Sequence, residues 1–173
     1  QGWWLREWLP GAHDVYVFGD FNNWQRTEIR MQRDAHGVWS AFFPEAMYRD
    51  RLRHGSLYKL HVHGDNGWKD RIPAYATRVV QDEATKNYTA QFWAPEPFDW
   101  QGDAFDASKN DSLLIYEAHV GMAQEKEGVG TYREFTEKIL PIIKKDGYNA
   151  VQLMAIAEHP YYGSFGYHVS SFF

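Results

Sequence analysis

The chain has 173 residues, which is enough for one ordinary domain, or for one small domain and part of another. Hydrophobic residues make up 44% and charged residues 24%, as in globular proteins, and no apolar run approaches the roughly 18 residues that would cross a membrane. The net charge of −5 argues against a nucleic acid partner, because such a partner is bound by a basic surface.

The first 95 residues are typical of an all-β domain. They contain short β-prone segments bounded by Gly, Pro, Asn or Asp, namely WWLREWLP, DVYVFGDF, GVWSAFFP, LYKLHVHG, TRVV and YTAQFWAP. In LYKLHV, apolar side chains such as Leu60 and Val62 alternate with Lys59 and His61, as in a strand with one buried and one wet face. We therefore predict an immunoglobulin-like β-sandwich over residues 1–95.

The pattern changes in residues 96–111, which are rich in aspartate and show no periodicity. We interpret them as a connector between two structural units. Residues 112–173 follow and open with SLLIYEAHVG. Its apolar run from Leu113 to Tyr116 predicts a strand that is buried on both faces.

The next stretch, TYREFTEKILPIIKKDG, predicts a helix. Thr131 and Glu134 have the spacing of a capping box, and Pro141 predicts a kink. Apolar residues recur at helical spacing to form one stripe, which consists of Tyr132, Phe135, Ile139 and Ile142. Because YNAVQLMAI then predicts a second buried strand, the three elements are expected to form a βαβ unit with parallel strands.

A single βαβ unit cannot cover both faces of its own sheet, so we expect the chain to be a fragment of a longer enzyme. Ligands of parallel α/β folds bind beyond the carboxyl ends of the strands. Glu117 and His119 lie at the end of the first strand, and Glu158, His159 and Tyr167 follow the second. These residues are predicted to share one rim, where Tyr167 is either a core residue or an exposed one that stacks on a ligand.

The motifs of several catalytic classes are missing from the sequence. Glu117, His119, Glu158 and His159 lack the spacing of a helical metal site, and we favour hydrogen bonds among them. No GxSxG elbow and no phosphate loop is present either. We therefore assign neither a metal nor a cofactor to the chain. The absence of cysteine excludes thiolate chemistry, and with no export signal at the start we expect a cytoplasmic protein without a membrane partner.

Aromatic residues make up 17% of the chain and include eight tryptophans. Most aromatic residues fill cores, but sugar rings also stack on exposed ones, which keeps a carbohydrate ligand in consideration. Longer stretches then resemble the 1,4-α-glucan branching enzymes of the α-amylase superfamily. They are REWLPGAHDVYVFGDFNNWQ, IPAYATRVVQDE, LLIYEAHVG and GYNAVQLMAIAEHPYYGSFGYHVSSFF, and the likeness covers nearly the whole chain.

The resemblance implies a fold and a reaction. The fold is a glycogen-binding β-sandwich followed by the first β/α/β part of a (β/α)8, or TIM, barrel over residues 112–173. The reaction cleaves an α-1,4 linkage and rejoins the cut end through an α-1,6 bond, by a retaining double displacement with an Asp nucleophile and a Glu acid/base. In the family these acids belong to later barrel strands, so no residue here is assigned a catalytic role, and the fragment alone is expected to be inactive.

The resemblance also implies residues that bind an α-glucan such as glycogen, a starch-like polysaccharide or a maltooligosaccharide. Tyr167 in FGYH matches the tyrosine that stacks on the sugar beside the scissile bond, and His168 occupies a position that is commonly Gln in the family. Trp24 in FNNW, Lys59 in LYKLHV and Trp68 in DNGW match the glucan-holding residues of the module. The alternative for the two tryptophans is that they pack against the barrel.

Two other functions are considered. One is a non-catalytic module that senses glycogen or targets a partner to it, since such proteins share GDFNNW and the DNGW turn. The other is a debranching-type relative with the same two domains. The continuation into IYEAHVG and a βαβ unit favours an enzyme over a separate module.

Overall fold

The computed structural model describes residues 1–109 and 112–172. Asn110 and Asp111, at the end of the predicted connector, and Phe173, at the end of the predicted barrel segment, lie outside the described residues. The chain forms two compact units. One is Gln1–Glu96 together with the short stretch that begins at Ser171, and the other is Pro97–Ser170.

The first unit is built from antiparallel strands in two sheets. In chain order they are β1 (Gly2–Trp8), β2 (Asp14–Gly19), β3 (Ile29–Arg30), β4 (Gln32–Arg33), β5 (Val38–Pro44), β6 (Leu57–Gly64), β7 (Gly67–Arg71), β8 (Val79–Gln81) and β9 (Tyr88–Gln91). One sheet has the order β1-β5-β4, and the other has the order β3-β2-β6-β9-β8, with β7 paired to β6. The short helix α1 (Glu45–Tyr48) follows β5.

The two sheets share one hydrophobic core. Val17 from β2 and Leu60 from β6 pack in the same cluster as Trp39 and Phe43 from β5. The alternation predicted for LYKLHV is present, since Leu60 and Val62 are buried while Lys59 and His61 are partly exposed. The prediction of a β-sandwich is therefore confirmed. The sequence patterns missed the short strands β3 and β4 and the exposed strand β7.

The second unit contains two parallel strands separated by a helical segment. The strands are β10 (Ile115–His119) and β11 (Ala150–Met154), with Glu117 opposite Gln152 in the register. The helical segment runs through α2 (Tyr132–Glu134), a π-helical turn (Phe135–Ile139) and α3 (Leu140–Lys145). No helix among the described residues is both long and apolar enough to cross a membrane.

The helical segment begins where the sequence predicts. The amide of Glu134 donates to Thr131 Oγ1 and the amide of Thr131 donates to the Glu134 carboxylate, so the capping box is confirmed. The π-helical turn ends two residues before Pro141, whose ring nitrogen has no hydrogen to donate. The local widening of the helix accommodates the missing hydrogen bond in place of a simple kink.

The predicted apolar stripe is wrong at two positions. Phe135 is buried and Ile139 packs against the same cluster, but Tyr132 and Ile142 are exposed. Ile143 takes the buried position instead of Ile142. The π-helical turn explains the shift, because a wider turn moves the inward-facing residue one place along the chain.

The prediction that Leu113 to Tyr116 is a strand buried on both faces is also wrong. The strand begins at Ile115, and all four residues of the run are exposed. Ala118 is buried against Phe135 and Ile143 of the helical segment. Among the described residues, that segment covers one face of the two-stranded sheet, so the other apolar face stays in contact with solvent.

Candidate functional site

The larger sheet of the first unit has an outward face that carries most of the candidate residues. Directly paired residues of antiparallel strands project from the same side of a sheet. The register pairs Phe18 with Lys59, Tyr16 with His61, His63 with Trp68, and His61 with Asp70. We call these seven residues, together with Trp24 and Arg26 that pack on them, the outer face. Val17, Leu60 and their alternating neighbours point to the core on the opposite side.

Trp24 is held on the outer face by a compact turn after β2. Asn23 and Trp24 both have left-handed backbone conformations, and the Trp24 amide donates to the carbonyl of Gly19. The indole Nε1 donates to Asp20 Oδ1 at 3.0 Å. Its ring meets Phe18 edge to face, with centroids 5.7 Å apart, and it remains 37% exposed. The turn therefore fixes an accessible indole above the sheet.

Trp68 is held by a different device. It lies on β7, next to the tight turn that joins β6 to β7, and its indole stacks on His61 and His63 with centroids 4.5 and 4.7 Å away. The planes deviate from parallel by only 10° and 19°, so both imidazoles stack on the indole and hold its plane. The side chain is nevertheless 45% exposed.

Lys59 lies on the same face, opposite Phe18 in the register. Its side chain is partly buried, and within the part of the chain that the structure describes it makes no ion pair or side-chain hydrogen bond. An ammonium group in that state can donate to up to three acceptors. The structure therefore brings Trp24, Lys59 and Trp68, the three residues chosen from the sequence in this unit, onto one face of one sheet.

A charged network that sequence reasoning missed lies beside them. Arg26 donates through Nε and Nη2 to the Asp70 carboxylate at 2.8–3.2 Å, and His61 Nδ1 lies 2.7 Å from Asp70 Oδ1. Desolvation alone would raise the pKa of Asp70, but the bonds from Arg26 and His61 outweigh it and hold the pKa below its usual value. The hydrogen bond and charge of Asp70 in turn raise the pKa of Arg26.

One sequence signal could have located this network. The residues DNG at positions 65–67 are typical of a tight hairpin turn, and they predict that β7 pairs with β6. Trp68 and Asp70 then alternate onto the face that carries His61. The role of Arg26 is not visible from sequence, because its contact with Asp70 joins positions 44 residues apart.

A buried carboxyl group, that of Glu7, lies elsewhere in this unit. The residue is 2% exposed, and its carboxylate accepts hydrogen bonds from the amides of Ala74 and Tyr75. Burial raises the pKa of Glu7, although the two amides act in the opposite direction. Burial, with the charge of Glu7, also raises the pKa of Tyr58 to about 12. Tyr58 and Tyr75 line a cavity of about 230 Å³.

In the second unit, Tyr167 lies at the carboxyl end of β11. Its hydroxyl is 3.7 Å from Sδ of Met154, the last residue of that strand, and the side chain is 62% exposed. His119 ends the neighbouring strand opposite Met154, and its Nε2 lies 2.7 Å from the carbonyl oxygen of Phe165. The rim predicted from strand direction is therefore present around these two strand ends. The exposed His168 follows Tyr167, and its amide donates to Ser164 Oγ at 3.4 Å.

The acidic and histidine residues of this rim were expected to bond to one another, but their hydrogen bonds are made to other groups. Glu117 accepts from Gln152 Nε2, whereas His119 and His159 each contact a backbone carbonyl. The prediction of mutual bonding is thus wrong, because the chain after β11 folds over the strand ends and supplies its own carbonyl groups. Among residues 1–109 and 112–172, no cluster of three or more acidic or histidine side chains is placed to hold a metal ion.

Comparison with a family model assigns the first unit. Residues 1–76 match carbohydrate-binding module 48, described as an isoamylase N-terminal domain. This range contains Trp24, Lys59, Trp68 and the network around Asp70.

Curated relatives match both units. The chain is 47% identical to a 1,4-alpha-glucan-branching enzyme of Yarrowia lipolytica and 44% identical to those of Dictyostelium discoideum and Solanum tuberosum. Each match covers 97% of this chain. The chain spans only 25%, 25% and 20% of the length of those three relatives.

Solved structures with a similar fold are more distant in sequence. The group B Streptococcus pullulanase SAP superimposes with a TM-score of 0.67 at 20% identity, over 91% of this chain and 23% of that one. The catalytic module of the pneumococcal glycogen-degrading factor SpuA superimposes with a TM-score of 0.63 at 21% identity, over 90% of this chain and 25% of that one. At this level of identity the likeness concerns the fold.

Proposed function

We propose that the chain is part of an enzyme of the 1,4-alpha-glucan-branching family, which cleaves an α-1,4-glucan and transfers the released segment to form an α-1,6 branch. The observation that carries the proposal is the extent of the identity. The match to branching enzymes covers 97% of the chain, at 47% identity for the Yarrowia lipolytica enzyme, and therefore continues well beyond the carbohydrate-binding module at residues 1–76.

The proposed mechanism is a retaining double displacement. It needs two carboxyl groups about 5–5.5 Å apart, one as nucleophile and one as acid/base. We assign neither to this chain and place both on later parts of the enzyme. Residues 1–95 are proposed as the binding module, 96–111 as a connector and 112–173 as the start of a (β/α)8 barrel, in which neighbouring strands would cover the exposed side chains of Ile115 and Tyr116.

The outer face is the proposed glucan site of the module. The partly exposed indoles of Trp24 and Trp68 offer apolar aromatic surface to the C–H groups of glucose units, and Lys59 can donate to their hydroxyl groups. A site of this kind is shallow, so it suits an extended polymer such as glycogen, starch-like polysaccharide or a maltooligosaccharide.

Tyr167 is proposed to stack on a glucose unit at the rim of the barrel. Its exposed ring and its position at a strand end support this role, since ligands of such folds bind at the carboxyl ends of the strands. His168 is proposed as a neighbouring contact to sugar hydroxyls, because an imidazole both donates and accepts hydrogen bonds.

The alternatives explain less of the chain. A non-catalytic glycogen-targeting module would account for residues 1–76 but not for a match to branching enzymes over 97% of the chain. A debranching-type relative would be consistent with the fold similarity to pullulanases. That similarity is only 20–21% in sequence, against 40–47% for the branching enzymes.

Binding of maltoheptaose to the 173-residue chain tests the glucan site. We expect titration calorimetry to detect binding that Trp24→Ala or Trp68→Ala weakens by at least about fivefold, since stacking on an aromatic ring contributes about 1 kcal/mol or more. Trp100→Ala is the matched control, because Trp100 is also exposed but lies in the other unit. Unchanged affinity in both outer-face variants would reject the site.

A second assay tests the assignment of the catalytic acids. The chain alone should form no α-1,6 linkages in amylose, measured as chains released by a debranching enzyme. The complete enzyme should form them. Turnover by the 173-residue chain would show that its own carboxylates are catalytic.

A further inference from the structure

Asp70 occupies a central place on the outer face, and we propose that it is a positioning residue that holds both Trp24 and Trp68 in the orientation that binds glucan. This inference rests on the proposed glucan site and adds a residue that does not itself offer a stacking surface. Asp70 contacts two groups from different elements, namely Arg26 from the segment after β2 and His61 from β6. Arg26 is connected to Trp24 through Phe18, and His61 contacts Trp68 directly.

The contact with Arg26 leads to Trp24. The guanidinium carbon of Arg26 lies 5.2 Å from the centre of the Phe18 ring, in cation–π contact. Phe18 is only 1% exposed although it points away from the core, because Arg26, His61 and Trp24 cover it. Asp70 holds Arg26 over Phe18. It thereby shields from water the Phe18 ring that the Trp24 indole contacts.

The contact with His61 leads to Trp68. A hydrogen bond from Nδ1 to a carboxylate fixes the plane of an imidazole as well as its position. That plane lies within 10° of the Trp68 indole, so the orientation of His61 sets the orientation of the indole. Asp70 also lies two residues after Trp68 on β7, and the two side chains therefore project from the same side of the strand.

The arrangement preorganises the site. A flexible polysaccharide loses conformational freedom when it binds, and each protein side chain that must also be ordered reduces the affinity further. Charge-assisted hydrogen bonds are the stronger ones in proteins, and Asp70 accepts them from Arg26 in a fork geometry. With the network intact, neither indole has to be ordered by the ligand.

The test compares uncharged replacements of the network with a matched ion pair elsewhere. Asp70→Asn and Arg26→Gln should each lower the affinity for maltoheptaose, by about tenfold for Asp70→Asn. Glu45→Gln removes a comparable arginine–carboxylate pair on α1 and should leave the affinity unchanged. The double variant Asp70→Asn with Arg26→Gln should bind as weakly as Asp70→Asn alone, because both changes break one network.

The indole N–H signals in proton–nitrogen spectra provide a readout that overall stability would not change. Asp70→Asn should shift the signals of both Trp24 and Trp68, Arg26→Gln chiefly that of Trp24, and Glu45→Gln neither. If Trp24→Ala and Trp68→Ala weaken binding but Asp70→Asn does not, the positioning role is wrong and the glucan site stands. If the tryptophan variants have no effect either, the glucan site itself is wrong.

Discussion

The indole of Trp68 lies almost parallel to the imidazole of His61, with ring centroids 4.5 Å apart and an interplanar angle of 10°. His61→Ala removes the imidazole ring and with it this stacking contact, which lets the indole rotate. Because an aromatic pair contributes about 0.5–1.5 kcal/mol, we expect maltoheptaose affinity to fall by about two- to twelvefold. Titration calorimetry measures the change, and an affinity equal to that of the unmodified chain would contradict the supporting role of the stack.

Asp70 makes stability depend on pH in the acid range. Its pKa in the folded chain is depressed by Arg26 and His61, so its contribution is present above the unfolded value near 3.9 and is lost as the pH falls through the lower folded value. Asp70→Asn should therefore reduce the free energy of unfolding by about 1 kcal/mol at pH 7, and by less at pH 3. Urea unfolding at the two pH values checks this. A difference that is equal at both would contradict it.

Glu7 makes stability depend on pH with the opposite sign. Burial raises its pKa in the folded chain, so the folded state holds its proton more tightly than the unfolded state does. The stability advantage of the unmodified chain over Glu7→Gln should therefore shrink as the pH rises from about 4 towards 7. Glu7→Ala should be less stable than Glu7→Gln by about 1–3 kcal/mol at any pH, because only the glutamine keeps an acceptor for the amides of Ala74 and Tyr75. Urea unfolding across this range measures both effects, and an advantage over Glu7→Gln that grows with pH would be inconsistent with burial as the dominant cause.

Glu134 closes the capping box with an unusually acidic carboxyl group. The hydrogen bond from Lys126, followed by those from Thr131, lowers its pKa to about 2. Lys126→Met should raise this pKa by more than Lys138→Met does, because the Lys138 ammonium lies 3.9 Å from the same carboxylate and makes a weaker contact. Carbon-detected titration of the Glu134 side chain gives the values. Equal shifts in the two lysine variants would show that distance does not decide the effect.

The sequence predicted those parts of the fold that depend on local patterns. Alternation in LYKLHV identifies both the strand and its buried face, and Thr131 with Glu134 identifies the start of the helix, because each signal lies within a few residues. Burial of the run at Leu113–Tyr116 was not predictable in the same way. It depends on whether another layer covers the sheet, and the helical segment covers one face only.

The candidate site was also predictable only where the signal is local. Trp24, Lys59 and Trp68 could be chosen from short motifs, and their placement on one face follows from strand pairing. Arg26 and Asp70 were missed because their contact joins distant positions, and the charges themselves give no local pattern. Whether the three chosen residues bind glucan stays a prediction that the calorimetric experiment decides.

Gly166 fixes the turn that presents Tyr167. Its φ is +84°, and a Cβ atom added there would lie 2.4 Å from the carbonyl oxygen of Ala155. Gly128 offers a matched control in the same unit, since its φ is +90° but a Cβ atom there would meet nothing within 4 Å. Gly128→Ala should therefore cost only the left-handed backbone strain of about 1–2 kcal/mol, whereas Gly166→Ala adds a steric clash of about 1–3 kcal/mol. Because the amide of Tyr167 donates to Ser164 within this turn, its hydrogen exchange should accelerate in Gly166→Ala and not in Gly128→Ala. Equal exchange in the two variants would mean that the turn tolerates a side chain at Gly166, and that the position of Tyr167 is set elsewhere.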